Sequence, residues 1–213
     1  MGIVCQNNRP LTQICEILDD CLGRITMVIL AIKTALENID ENYCKLSQID
    51  YSMLRANEST QKILEEEKYL ERPFAYEFYH QLRRLIDSGD VNFGGPVIQA
   101  EVDKKYQKCF ENGKIPDFII HIQNTQKNLA VIELKLAANF RKLEGDLKKL
   151  VEFKNNKDLK YAFAIEIIIG NHSSLKKAKE YILRMEKTRG EEITIIDYNT
   201  HTKKVKDWKI LVE

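Results

Sequence analysis

Two short apolar stretches carry residues able to support hydrolytic chemistry. Pro116-Asp117 opens Asp-Phe-Ile-Ile-His-Ile-Gln, and Glu133-Leu134-Lys135 lies within Leu-Ala-Val-Ile-Glu-Leu-Lys-Leu-Ala. Two carboxylates and one amine are the donor set of a hydrolytic metal site. The carboxylates suit a hard divalent cation, and the amine suits developing negative charge. Both stretches are rich in β-branched residues and are separated by the polar Asn124-Thr125-Gln126-Lys127-Asn128, so they read as a β-hairpin. A turn centred near 125 or 126 opposes residues whose numbers sum to about 250–252, setting Asp117 against Glu133 or Lys135. Alternation then places Asp117, Glu133 and Lys135 on one face and Phe118, Ile120, Ile122, Ile132, Leu134 and Leu136 on the other. One face is expected to be core and the other to gather charge.

The elements that must position this hairpin follow from the flanking pattern. Pro73 fits the first turn of a helix running to about Ile86. Gly89 and Gly94-Gly95-Pro96 mark a loop, and Val97 to Tyr106 reads as a first strand. After the hairpin, a helix capped near Asn139 runs to about Phe153. Tyr161 to Ile169 is nearly all apolar, as in a strand covered on both faces. Ser173 or Ser174 would cap a further helix ending near Gly190, and Glu192–Tyr198 and Val205–Val212 would close the sheet. The order from residue 72 is αβββαβαββ.

Residues 1–70 read differently. Leu11, Cys15, Leu18, Leu22, Ile25, Ile29, Ile32, Leu36 and Ile39 form a heptad seam. A second helical pattern runs through Leu46, Ile49, Met53, Ala56, Ile63 and Leu64. The expectation is an αα-hairpin appendage over 1–70, serving a homodimer or partner contact, before an α/β domain over 71–213. Packing against its own α/β domain is the alternative.

With 213 residues, 44% hydrophobic and 31% charged, the chain has the composition of a globular protein. No apolar run approaches the roughly 20 residues a membrane helix needs, and no signal-peptide pattern is read. Five cysteines without a C-x-x-C pair suggest a reduced, cytoplasmic protein without structural zinc. A net charge of +1 does not announce a nucleic-acid binder, but its distribution is uneven. Residues 1–70 hold 7 basic and 11 acidic residues, and the remainder holds 26 and 21. The basic clusters are Arg141 to Lys160 and Lys176 to Arg189. They would face either a phosphate backbone or solvent.

With Pro-Asp on the second strand and Glu-x-Lys on the third, the order over residues 72–170 resembles the PD-(D/E)XK nuclease superfamily. That resemblance implies a restriction-endonuclease-like α/β fold, an αβββαβ core around a mixed central sheet. It further implies a Mg²⁺-dependent nuclease, with Mn²⁺ as a substitute, cleaving DNA as an endonuclease in restriction, mobile-DNA defence or repair. RNA is an open alternative substrate. Asp117, Glu133 and the carbonyl of Leu134 would hold the metal, and Lys135 would orient or activate water and offset developing charge. Glu77 would be the further acid from the preceding helix. His121, Glu101 and His80 are accessory candidates, each with a structural alternative. Lys148, Lys149 and Lys154 are candidate phosphate contacts, because the helix after the third strand lacks the Q-x-x-x-Y arrangement of the exonuclease branch. The rival reading keeps the fold without catalysis, as a nucleic-acid- or protein-binding module.

Overall fold

The computed structural model describes residues 21–49, 64–102, 114–123, 125 and 128–213. Helix α1 (Cys21–Glu37) is followed by a 3-10 turn (Glu41–Tyr43) and an antiparallel ribbon of β1 (Lys45–Ile49) and β2 (Leu64–Tyr69). Next come α2 (Glu71–Asp87), β3 (Val97–Ala100), β4 (Phe118–His121) and β5 (Asn128–Leu136). A 3-10 segment (Ala137–Lys142) leads into α3 (Leu143–Asn155) and β6 (Phe163–Gly170). Helix α4 (His172–Leu183), β7 (Glu191–Asn199) and β8 (Lys204–Val212) complete the chain.

The main sheet has six strands in the order β3-β4-β5-β6-β7-β8. β3, β4 and β5 pair antiparallel, β5, β6 and β7 run parallel, and β8 returns antiparallel at the edge. Each parallel step needs a crossover, which α3 and α4 supply on the same face of the sheet. This is an α/β protein with a mixed sheet, in the element order expected from residue 72. The hairpin register also agrees: Phe118 opposes Ile132 and Ile119 opposes Val131, so the row beyond sets Asp117 toward Glu133.

Two apolar layers sandwich the sheet. On one face Phe118, Ile120, Ile132, Leu134, Ile167, Ile196 and Tyr198 meet Phe74, Phe78 and Leu82 of α2 and Val28, Ile32 and Leu36 of α1. Edge-on aromatic contacts order that layer, with Phe78 and Phe118 ring centroids 5.3 Å apart. On the other face Ile119, Val131, Ile168 and Ile195 pack with Leu143, Leu147 and Leu150 of α3 and Leu175 and Ile182 of α4. The face carrying Asp117 and Glu133 is therefore also core, and its charge is confined to one end. β4 and β5 are short of polar positions because helices cover both of their faces.

Several expectations on residues 1–70 are corrected. Lys45–Ile49 and Leu64–Tyr69 are strands where a second helix is predicted, while residues 50–63 lie outside the described residues. The seam residues Ile32, Leu36 and Ile39 are buried within the chain's own core, so these positions pack against the α/β portion instead of facing a second copy. The part of the seam before Cys21 lies outside the described residues. At residues 103–113 the first strand's predicted continuation also lies outside them, and the strand itself ends at Ala100. Helix α4 is capped by Asn171, whose side chain accepts from the Ser174 N–H, and ends at Leu183 instead of near Gly190. Gly170 closes β6 where a Cβ would come within 2.7 Å of the Ala137 Cβ, so the turn after β5 lies tight against the end of β6.

Candidate active site

The site forms at the end of the sheet where β4 begins and β5 and β6 finish. Ladder pairing stops at Phe118, and the Asp117 side chain continues it: its Oδ2 accepts from the Leu134 N–H at 2.8 Å. The Asp117 carbonyl accepts from the Glu101 N–H at 3.0 Å, tying the residue to β3 as well. Glu133 is buried on β5, and Lys149 of α3 stands 2.8 Å from its carboxylate, donating to Oε2. Lys135, two residues on, reaches Glu71 Oε1 at 3.0 Å and Asp146 Oδ2 at 3.4 Å. Glu71 also accepts from the Leu136 N–H at 3.2 Å through Oε2. As the first residue of α2, its carboxylate lies where the helix dipole favours negative charge. Glu166 sits on β6 in register with Glu133, fully buried.

Electrostatics follow from packing five carboxylates (Glu71, Asp117, Glu133, Asp146, Glu166) with two ammoniums (Lys135, Lys149). Burial lifts the Asp117 pKa above the usual carboxylate range, against the Leu134 hydrogen bond and the pull of Lys149 and Lys135. Burial, then the Asp117 charge, pushes Glu133 up to about 8, although Lys149 opposes this. Asp146 is raised by burial against Lys135. Glu166 is raised well above its ordinary value, by burial first and by Asp146 and Glu133 after it. Burial disfavours the charged form of Lys135, but Asp146, Glu71 and Asp117 outweigh it and hold the amine protonated above its ordinary range. Glu133 Oε1 and Asp146 Oδ2 face the ammoniums of Lys149 and Lys135, whereas both Glu166 oxygens are buried with neither a hydrogen bond nor an ion pair. Such atoms are costly unless a cation or proton satisfies them.

A cleft of about 130 Å³ opens onto this cluster, lined by Glu71, Arg72, Tyr76, Glu101, Asp117 and Leu134. Among the described residues, no three His, Cys, Asp or Glu side chains stand in ready-made metal geometry.

The structure brings Asp117, Glu133, Leu134, Lys135 and Lys149 together, and it places the other candidates elsewhere. Glu77 is corrected: its Oε1 accepts from Gln81 Nε2 at 2.6 Å and the Asp40 N–H at 3.2 Å, toward the 3-10 turn after α1. Glu71, at the start of the same helix, is the acid that meets Lys135. Glu101 lies at the cleft rim, in a bend with φ 48° past the end of β3, 4.0 Å from Arg72 Nη2. His121 shares the parity of Asp117 but stands at the far end of β4, with Nε2 2.5 Å from Gln99 Oε1. His80 is exposed on α2. Lys148 pairs with Glu144 at 2.7 Å on the outer face of α3, and Lys154 reaches the Glu192 carbonyl at 3.0 Å at that helix's far end.

Sequence reasoning missed Glu71, Asp146 and Glu166. Glu166 carries a signal, being the lone charge in the apolar run Tyr161–Ile169. Asp146 and Lys149 each flank an apolar seam of Leu143, Leu147 and Leu150, which puts them on the inner shoulder of α3. No protein-family model matches the sequence, and no curated protein or solved structure is significantly similar to it.

A second depression, of about 400 Å³, lies at the C-terminal end of β7 and is lined by His172, Lys176, Lys179, Asp197, Lys204 and Lys206. Lys135 is in register with Ile168, Ile168 with Asp197, and Asp197 with Lys206, so the two places share one row of the sheet.

Proposed function

We propose that this chain is a divalent-cation-dependent nuclease of the PD-(D/E)XK type, with a restriction-endonuclease-like core over α2–β6, cleaving the phosphodiester backbone of DNA. The observation that carries the reading is the gathering of Asp117, Glu133 and Lys135 beside a cleft that Asp117 lines, with both buried oxygens of Glu166 left without a partner. The donor set fits Mg²⁺ or Mn²⁺, since it is made of hard oxygens and carries more negative than positive formal charge. Asp117, Glu133 and the Leu134 carbonyl would hold the cation. When bound, such a cation supplies a water of lowered pKa and offsets charge on the phosphoryl oxygens.

The chain's own residues do the rest. Lys135 is held protonated, which suits it to offset the charge that develops on the phosphoryl group and to orient water as a donor. Glu71 and Asp146 fix the position of its ammonium. Lys176, Lys179, Lys204 and Lys206 outnumber the one acid of that depression, Asp197, on which Lys179 and Lys206 act, and supply a basic surface along the same sheet end for a phosphate backbone.

The test is cleavage of supercoiled and linear DNA with Mg²⁺ or Mn²⁺ by the wild type, Asp117→Asn and Lys135→Ala. Both variants are expected to lose roughly 10²-fold or more in rate while remaining folded. Equal nicking by all three proteins would end the proposal.

One observation favours a second reading, a nuclease-like module that binds without cutting. Lys149 stands against Glu133 and Lys135 against Asp146, so amines neutralise part of the carboxylate charge that a metal would. Calorimetric titration decides between them. No heat of binding at millimolar Mg²⁺ or Mn²⁺ would select the non-catalytic module.

A further inference from the structure

We propose that Glu166 is a third carboxylate of the cation-holding set, beside Asp117 and Glu133. The proposal rests on the cation-dependent reading above and adds a residue from β6 that the Pro-Asp and Glu-x-Lys pattern does not contain.

Glu133 and Glu166 are register partners on adjacent parallel strands, about 4.8 Å apart, and their side chains project from the same face. On its other side Glu166 is in register with Ile195 of β7, and the residues that share its face along β6 are Ala164 and Ile168. Those neighbours offer no polar atom. Its register neighbour Glu133 belongs to the cluster, and Asp146, Lys135 and Asp117 stand near enough for their charges to act on it.

It is also fully buried, and neither oxygen has a hydrogen-bond partner. Glu133 has Lys149, Asp146 has Lys135, and Asp117 has the Leu134 N–H. Glu166 has none of these. A structural role would leave such a group hydrogen-bonded, because a buried carboxylate without partners costs several kcal/mol and an apolar residue of similar volume would serve the core better. What distinguishes glutamate from leucine at this position is two hard oxygen donors on the strand position beside Glu133.

The measurement is Mn²⁺ binding, read from the electron paramagnetic resonance signal of free Mn²⁺, for the wild type, Glu166→Gln, Asp117→Asn and Lys209→Ala, an exposed residue paired with Glu192 on the outer strands. Thermal unfolding with EDTA and with Mn²⁺ accompanies it. Glu166→Gln is expected to bind Mn²⁺ about 10–100-fold more weakly, as loss of a supporting group at a metal site does. It should also unfold at the same temperature or higher in EDTA, and lose the gain in melting temperature that Mn²⁺ gives the wild type. Lys209→Ala should bind as the wild type does. If Asp117→Asn loses Mn²⁺ while Glu166→Gln keeps wild-type affinity, this inference fails and the parent reading stands. If the wild type itself binds no Mn²⁺, both fall. Should Glu166→Gln not fold, Glu166→Met, apolar and of similar length, carries the same comparison.

Discussion

At Glu133 the environment sets the charge state, and the sign of its effect on stability follows. Around it stand Asp117 just before β4, Glu166 in register on β6, and Asp146 and Lys149 from α3. Burial and Asp117 raise its pKa to about 8, against roughly 4.3 for an unfolded glutamate. Between those values the native state holds a proton that the unfolded state has released, so stability falls as pH rises. The contribution is full below the unfolded value, is lost progressively up to about pH 8, and is flat beyond it. Asp117, Asp146 and Glu166 are shifted in the same direction and steepen the slope. The metal-free protein, kept in EDTA, is therefore expected to lose stability on the order of a few kcal/mol between about pH 5 and pH 8. Glu133→Gln should flatten that profile. Urea unfolding at intervals across the window measures it, and a rise in stability would show that the cluster ionises without penalty.

Strands and helices convert these residues into a surface, and here the sequence was legible in part. Alternation and loop length gave the β4–β5 register, because side-chain period and turn position leave few choices for a short hairpin. The apolar run of β6 announced a strand covered on both faces, which is what α1, α2, α3 and α4 make it. Glu71 was not legible, since its role depends on where the start of α2 meets the end of β5, a contact between positions 64 residues apart. Glu77 fitted a one-dimensional pattern but is turned toward the 3-10 turn by the roll of α2. The ribbon β1–β2 was missed because Leu46 and Ile49 are spaced as on a helix and Leu64–Tyr69 is mostly charged, without the alternation of a half-buried strand, and yet the two segments pair across the chain. The same scale holds the basic depression beside β7. Three strand spacings separate Lys135 from Lys206 along their row, about 14 Å, close to the ~12 Å width of the DNA major groove. In an Asp117→Asn background, Lys176→Ala with Lys206→Ala should weaken DNA binding. The salt dependence should also fall, by about 0.9 in log–log slope for each phosphate that is no longer neutralised. Fluorescence anisotropy across a salt series reads both, and an unchanged slope would remove this surface from the binding path.

For the molecule as a whole, the question is whether the α/β portion stands without what precedes it. Val28, Ala31, Ile32, Ala35, Leu36 and Ile39 are all at most 2% exposed and share one apolar layer with Phe74, Phe78, Leu82, Ile196 and Tyr198. Lys33 is tied to Asp207 of β8 at 2.7 Å, so α1 spans from α2 to the far edge of the sheet. Burying the larger aliphatic side chains is worth about 1.5–3 kcal/mol each. The four on α1 and its exit therefore contribute on the order of 10 kcal/mol, comparable to the 5–15 kcal/mol of a whole domain. Removing them would also strand Phe74 and Phe78 at a water-facing surface. The fragment 70–213 is expected to aggregate or to unfold without a cooperative transition, even though it contains every residue of the proposed site. Calorimetry and light scattering on that fragment test this. A monomer with a sharp transition and wild-type Mn²⁺ binding would make α1 a dispensable appendage. Within the full chain, Leu36→Ala should cost about 2–5 kcal/mol in urea unfolding. The folded variant should still bind Mn²⁺, because α1 touches the face of the sheet opposite the carboxylates.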